Sequence, residues 1–263
     1  DAALNAQAQS LSRIIDVAHR ETLRTLNSRL VEVGQRLQQH TYMQSAFEAA
    51  LQDPGRWADF VTLLNEPLRR EDNGLDLIKL RTYDPDFRLV AESSEGASGL
   101  PAELPAALVQ QARNAGTLTR PLTSYWIAAN TPHYSMLIPL GQAQPAGYLE
   151  IVVSPLAHLR AIQDTLKLPF RIHLDEHGPA EITAYESADW HAPGDTELAV
   201  HYEVKDATGA YVMDLEAIED VAGLHEDMTR VLSATAIAYV LLTGGSLMLA
   251  IWLFNRFLFR PVN

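Results

Sequence analysis

The chain of 263 residues contains no cysteine. That excludes disulfides, thiol nucleophiles and thiolate metal sites at once. Catalytic signatures are missing as well. There is no GxSxG, HExxH, GxxxxGK or GxGxxG run, so no motif assigns an enzymatic centre, and no cofactor is expected. Basic residues are scarce, 20 Lys and Arg against 33 Asp and Glu. The only charges after Arg230 are Arg256 and Arg260, so the formal net charge of −13 becomes −15 over residues 1–230. A surface that acidic repels phosphate backbones, which disfavours nucleic acid as a partner, and it stands clear of anionic lipid.

One stretch lacks charge altogether. Val231 to Phe254 reads VLSATAIAYVLLTGGSLMLAIWLF, 24 residues without an ionisable side chain. About 20 apolar residues span a bilayer core as a helix. A buried soluble helix of that length keeps a polar stripe, and this one has none. The sequence therefore predicts a transmembrane helix over 231–254, with Trp252 where an interfacial anchor belongs. Arg256 and Arg260 follow it, which by the positive-inside tendency places the C-terminal end in the cytoplasm and residues 1–230 outside. An exported segment of that size needs an export element, so a first transmembrane helix, or else a cleaved signal, is expected upstream of Asp1. The opening residues DAALNAQAQS lack the basic and apolar regions of a signal peptide.

The outer region divides by hydrophobic period. Leu11, Ile15, Ala18, Thr22, Leu26, Leu30, Val33 and Leu37 recur at spacings of three and four, which predicts one long helix over about 3–50. Its length suits a stalk or a dimer contact. Asp53-Pro54 starts a second helix ending near Arg70. From Leu75 the period changes to two. Strands are expected at 75–83 and 87–93, a short helix at 106–115, and strands at 119–129, 134–140 and 147–153. A connecting helix over 155–167 leads to a smaller set of strands at 170–175, 181–185, 197–205 and 210–217. Residues 218–230 then read as a helix that runs unbroken into the span. The expected fold class is α+β: a long N-terminal helix, tandem antiparallel sheets and a C-terminal transmembrane helix. The two sheet regions also echo one another, HYSMLIPLGQAQPAGYLEIVV against LAVHYEVKDATGAYVMDLEAI. Two copies of one module, or the ordinary likeness of any two hairpins, both account for this.

This order of elements resembles a double-Cache sensor, a PAS-like periplasmic fold of bacterial receptors. The resemblance covers about residues 1–230 and rests on the long first helix, the segment LDLIKLRTYDPDFRLVAES and the strand pair ending PAGYLEIVV. The end, FNRFLFRPVN, is similar to the entry of a HAMP linker at Arg260, Pro261 and Val262. The resemblance implies a helical stalk and cap at 1–74, a membrane-distal module at 75–155, a smaller membrane-proximal module at 156–217, a juxtamembrane signalling helix at 218–230, and a linker opening at 255–263. It implies a ligand-sensing region that is periplasmic over 1–230, anchored in the bacterial inner membrane, working as a homodimer and driving a cytoplasmic output. Cyclic-di-GMP turnover is the output favoured, with a histidine kinase or chemoreceptor as the alternative and a protein-binding adaptor as a second alternative.

A small-molecule ligand is expected on the concave face of the first sheet, since PAS-like pockets lie between the sheet and its flanking loops. The candidates there are Arg81 and Tyr83 on the first strand, Tyr125 and Trp126 on the third, and His133 and Tyr134 on the fourth. Arg81 suits a carboxylate; an exposed salt bridge is its plainer role, and core packing is the plainer role of each aromatic. Because strand residues alternate, Tyr125 and Trp126 cannot both face the pocket. His173, Asp175, Glu176, His177, His191 and His201 include metal-ligating types, but their spacing shares no helical face and no metal is expected.

Overall fold

A computed structural model of the chain describes residues 2–39, 41–69, 75–115, 118, 120–141, 145–174 and 182–223, with six further positions between 239 and 252. Residues 1–192 and 199–218 form one compact unit; residues 193–198 and 219–263 form another.

The first unit opens with helix α1, Ala2–Gln39. Its core-facing residues Leu11, Ile15, Leu26, Leu30, Val33 and Leu37 are the ones whose spacing predicted a helix, and all are buried. The helix is shorter than expected: α2 follows as a separate element, Thr41–Gln52. Asp53 then accepts a hydrogen bond from the Gly55 amide (3.0 Å), and a 3-10 turn at Pro54–Arg56 leads into α3, Trp57–Arg69. Asp53-Pro54 thus acts as a start signal, as its residue types require. Phe47, Trp57 and Phe60 pack ring against ring where α2 meets α3.

The first sheet contains β1 (Leu77–Tyr83), β2 (Leu89–Glu92), β3 (Leu122–Ala128), β4 (Thr131–Leu140) and β5 (Gly147–Val153), in the order β2-β1-β5-β4-β3. Helix α4, Ala106–Ala115, has the expected boundaries. The pairings of β1, β3, β4 and β5 are antiparallel. Gly34 lets α1 lie close over this sheet: a Cβ there would meet Ile138 Cδ1 at 2.5 Å. Gly147 is held more tightly, since its Cβ would sit 2.3 Å from the Tyr83 carbonyl oxygen.

Helix α5, Leu156–Leu166, closes with Lys167 in the left-handed conformation. The second sheet follows: β6 (Phe170–His173), β7 (Thr183–Glu186), β8 (Glu197–Lys205) and β9 (Tyr211–Asp220), in the order β7-β6-β9-β8. With β6 matched to β1, β7 to β2, β9 to β5 and β8 to β4, this is the order of the first sheet less β3. The tandem sheets expected from the sequence are present.

Strand β9 extends past the expected strand end at 217. Its ladder continues because the Ile218 amide donates to the Pro169 carbonyl (3.1 Å) and Ile218 is buried. The helix expected over 218–230 therefore begins later than expected: strand continues through Asp220, Ala222 and Gly223 are helical, and residues 224–230 lie outside the described ones. In the second unit, the Val221 amide donates to the Thr196 carbonyl (2.9 Å) and Val221 is buried. No helix among the described residues is long and apolar enough to cross a membrane. The expected span at 231–254 lies outside them except for Tyr239, Thr243, Ser246, Met248, Leu249 and Trp252.

Candidate ligand site and its repeated ion-pair network

Strand alternation divides the six candidate residues between the two faces of the first sheet. Tyr125 and Tyr134 are register partners and their rings are 4.7 Å apart. They face α1: Tyr134 donates to Asn27 Oδ1 (2.8 Å), and the Tyr125 hydroxyl lies 3.2 Å from His19 Nε2. Burial pushes the Tyr125 hydroxyl well above its ordinary range and draws the His19 imidazole down to about 4, with Asp16 opposing and Arg20 reinforcing the His19 shift. These two tyrosines therefore tie the sheet to α1.

Arg81, Tyr83, Trp126 and His133 share the opposite face. Trp126 and His133 are register partners with ring centroids 4.7 Å apart. The Arg81 guanidinium lies 5.6 Å from the Trp126 ring and 5.7 Å from the Tyr83 ring. Leu104, Leu108, Ala112 and Leu118 pack with Tyr83 and Tyr148 over one end of this face. Leu104 before helix α4, Leu108 and Ala112 on it, and Leu118 after it supply that cover.

Arg81 is fully buried, so it forms no exposed salt bridge. Its partner is Glu150 on β5, directly opposite in register. The Nε donates to Glu150 Oε2 at 2.8 Å, Nη2 lies 2.7 Å from the same oxygen, and Nη1 donates to the Pro101 carbonyl. Glu150 also accepts from the Tyr83 hydroxyl (2.9 Å) and from Ser135 (2.6 Å), and Ser135 accepts from the Trp126 indole (2.8 Å). Burial, then the Glu150 charge, pushes the Tyr83 hydroxyl far above its ordinary range. The guanidinium that suits a carboxylate thus holds one supplied by the chain itself. Two buried charges survive this way because each has a partner and further hydrogen bonds.

His133 completes the face. Burial, then the nearby Arg81 charge, draws it down to about 4, so the ring is neutral near pH 7. A hydrogen bond to the Ala128 backbone opposes that shift. Its Nδ1 is buried and has no hydrogen-bond partner among the described residues. In the tautomer that carries its proton on Nε2, Nδ1 is a bare acceptor.

The second sheet repeats the network. Arg171 on β6 stands opposite Glu216 on β9, as Arg81 stands opposite Glu150. Its Nη2 donates to Glu216 Oε2 at 2.8 Å. His173, two residues on, lies 2.9 Å from Glu216 Oε2, where Tyr83 serves the first sheet. Trp190 lies over Arg171 at 4.4 Å, as Trp126 lies by Arg81. A buried serine follows the second strand in both. The Ser93 hydroxyl accepts from the Leu80 amide (3.2 Å), and the Ser187 hydroxyl from the Phe170 amide (2.9 Å). Each serine amide returns a bond to the same residue's carbonyl. Matched register, partners and strand order together favour two copies of one module over chance likeness of hairpins.

Glu150 and Glu216 were missed in the sequence, although a signal was available. Each acid follows leucine in a mostly apolar stretch, YLEIVV and LEAI, although Glu216 also has Asp214 two residues before it. A charge in that setting requires a buried partner, and Arg81 and Arg171 occupy the equivalent interior positions. Of the metal-ligating types noted above, residues 175–177 lie outside the described ones. Among the described residues no cluster of His, Asp or Glu is arranged to hold a metal ion.

No family model matches the chain, and no curated protein matches it. It is similar to several solved structures. One is the periplasmic domain of Vibrio cholerae LuxQ, at 13% identity and a TM-score of 0.47, covering 81% of this chain and 99% of that one. Another is the sensor domain of the V. cholerae histidine kinase DctB, at 10% identity and a TM-score of 0.48, covering 82% and 98%. A third is the ligand-binding domain of the Campylobacter jejuni chemoreceptor Tlp3 in complex with L-valine, at 10% identity and a TM-score of 0.40, covering 83% and 95%.

Proposed function

We propose that this chain is the extracytoplasmic ligand-sensing part of a bacterial receptor. In this reading residues 1–230 are periplasmic, 231–254 cross the inner membrane, and 255–263 open a HAMP linker to a cytoplasmic output. The observation that carries the ligand site is His133 Nδ1, a buried ring nitrogen without a hydrogen-bond partner among the described residues. Such an atom costs about 1–3 kcal/mol, which a ligand hydroxyl or amine would recover. Arg81, Tyr83, Trp126 and His133 line the ligand face, while Tyr125 and Tyr134 position α1. Exposure of Tyr239, Met248, Leu249 and Trp252 supports lipid contact by the span. The output proposed is cyclic-di-GMP turnover; a ligand that changes cyclic-di-GMP levels in cells carrying the full-length receptor supports it. Unchanged levels favour the kinase or chemoreceptor alternative.

The test is a thermal-shift screen of the purified chain against small metabolites bearing hydroxyl or amine donors. One compound class should raise Tm with concentration, by the equivalent of about 2.7 kcal/mol at a hundredfold excess over Kd. His133→Phe should abolish the shift. An equal shift in His133→Phe removes this site. Absence of any shift favours the second reading, a protein-binding ectodomain.

A further inference from the structure

The two copies of the network differ in access. The first is sealed, with Arg81 and Glu150 both fully buried. In the second, the ring of His201 on β8 joins the cluster with a side chain that is 58% exposed. Its Nδ1 lies 2.7 Å from Asp214 Oδ2, and its Nε2 lies 3.6 Å from Glu216 Oε1. Both ring nitrogens therefore face carboxylates. A neutral imidazole has one donor, so its other nitrogen would present a lone pair to an anion. Only the imidazolium donates at both ends.

We propose that the second sheet carries a proton-binding site, with the His201 imidazole taking the proton and the Asp214 and Glu216 carboxylates holding the protonated form. The proton comes from solvent and goes to the lone pair of His201 Nε2; no bond other than N–H is made. Protonation turns the 3.6 Å approach to Glu216 into an ion pair. It also ties β8 to two residues of β9, the strand that leads directly into residues 219–263.

The charges around the ring have a net bias toward holding a proton. Strand β9 contributes Asp214 and Glu216, and β6 contributes Arg171 and His173. On β7, Glu186 is the register partner of Arg171. On β8 itself, Glu203 shares the alternating face and pairs with Lys205. Among the described residues the Asp214 Oδ1 atom is buried without a hydrogen-bond partner, a further acceptor on the same carboxylate. The hydrogen bond to Asp214, against the cost of burial, moves His201 above its ordinary range. The proposal is independent of any small-molecule ligand in the first sheet.

The test uses the full chain in detergent micelles with 13C-labelled histidine. NMR titration from pH 5 to 8 follows each ring, and the resonance missing from His201→Gln identifies His201. Its midpoint should lie above 6.5, and Asp214→Asn should lower it by about one pH unit. Thermal unfolding across the same range supplies a second reading. The Tm advantage of the native chain over His201→Gln should be largest near pH 5.5 and shrink as pH rises to 8. A His201 midpoint at or below 6.5, a midpoint unmoved in Asp214→Asn, or a pH-independent Tm difference overturns the proposal.

Discussion

Removing one half of the Arg81–Glu150 pair should cost at least as much as removing both. In Arg81→Met the Glu150 carboxylate stays buried and keeps only the Tyr83 and Ser135 hydroxyls as donors. Breaking a buried pair from one side costs about 3–5 kcal/mol, because the surviving charge is neither solvated nor paired. Glu150→Leu strands the guanidinium in the same way, with the Pro101 carbonyl as its remaining acceptor. The double variant contains neither charge. It orphans the two hydroxyls, at about 1–3 kcal/mol each, and it replaces the ion pair with apolar volume, which offsets part of that. The double variant should therefore be no less stable than either single, giving a coupling of at least about 3 kcal/mol. Urea unfolding followed by tryptophan fluorescence measures it, provided the m-value is unchanged across the four chains. Singles that each cost under about 1 kcal/mol and add simply would refute the view that this pair is sealed from water.

The repeated pair in the second sheet gives a graded comparison. Arg171 keeps 19% side-chain exposure, so Arg171→Met should cost only about 1–2 kcal/mol in the same urea assay. His19 sets an acid limit. Its folded value of about 4 lies below 6.5, so the folded state binds fewer protons than the unfolded chain in that window. The stability this contributes is intact above 6.5 and is lost as pH falls toward 4, by about 3 kcal/mol in all. His19→Gln should flatten the fall in urea midpoint between pH 7 and 4.5, and an equal slope in both chains would contradict this. Gly147→Ala should cost at least about 2 kcal/mol in thermal unfolding, because the new Cβ meets the Tyr83 carbonyl oxygen and the Phe47 ring.

Much of the architecture was legible because period and punctuation agreed. Helix α4 and strands β5 and β8 have the expected boundaries: a helical stripe between Pro105 and Gly116, and alternation bounded by turn residues, leave one assignment. The first helix was overextended because amphipathic spacing continues through Thr41, and spacing alone does not register a separate element. Strand β9 was cut short because 218–230 also scans as a helix, while the bond from Ile218 to Pro169 belongs to the tertiary structure. Alternation separated Tyr125 from Trp126 correctly. It could not tell which face α1 would cover, so Tyr125 and Tyr134 were grouped with residues of the other face. The register that sets Arg81 against Glu150, 69 positions apart, comes from β1 pairing with β5 across an intervening helix and three strands.

The orientation of the chain in the cell tests the receptor reading most directly, and the lack of native cysteine makes the measurement clean. Thr208 lies in the exposed turn between β8 and β9, so Thr208→Cys presents a single thiol. A membrane-impermeant maleimide applied to intact spheroplasts should label it fully, while a cysteine replacing Asn263 should react only after lysis. Labelling of position 208 only after lysis would place the acidic region in the cytoplasm and contradict the account.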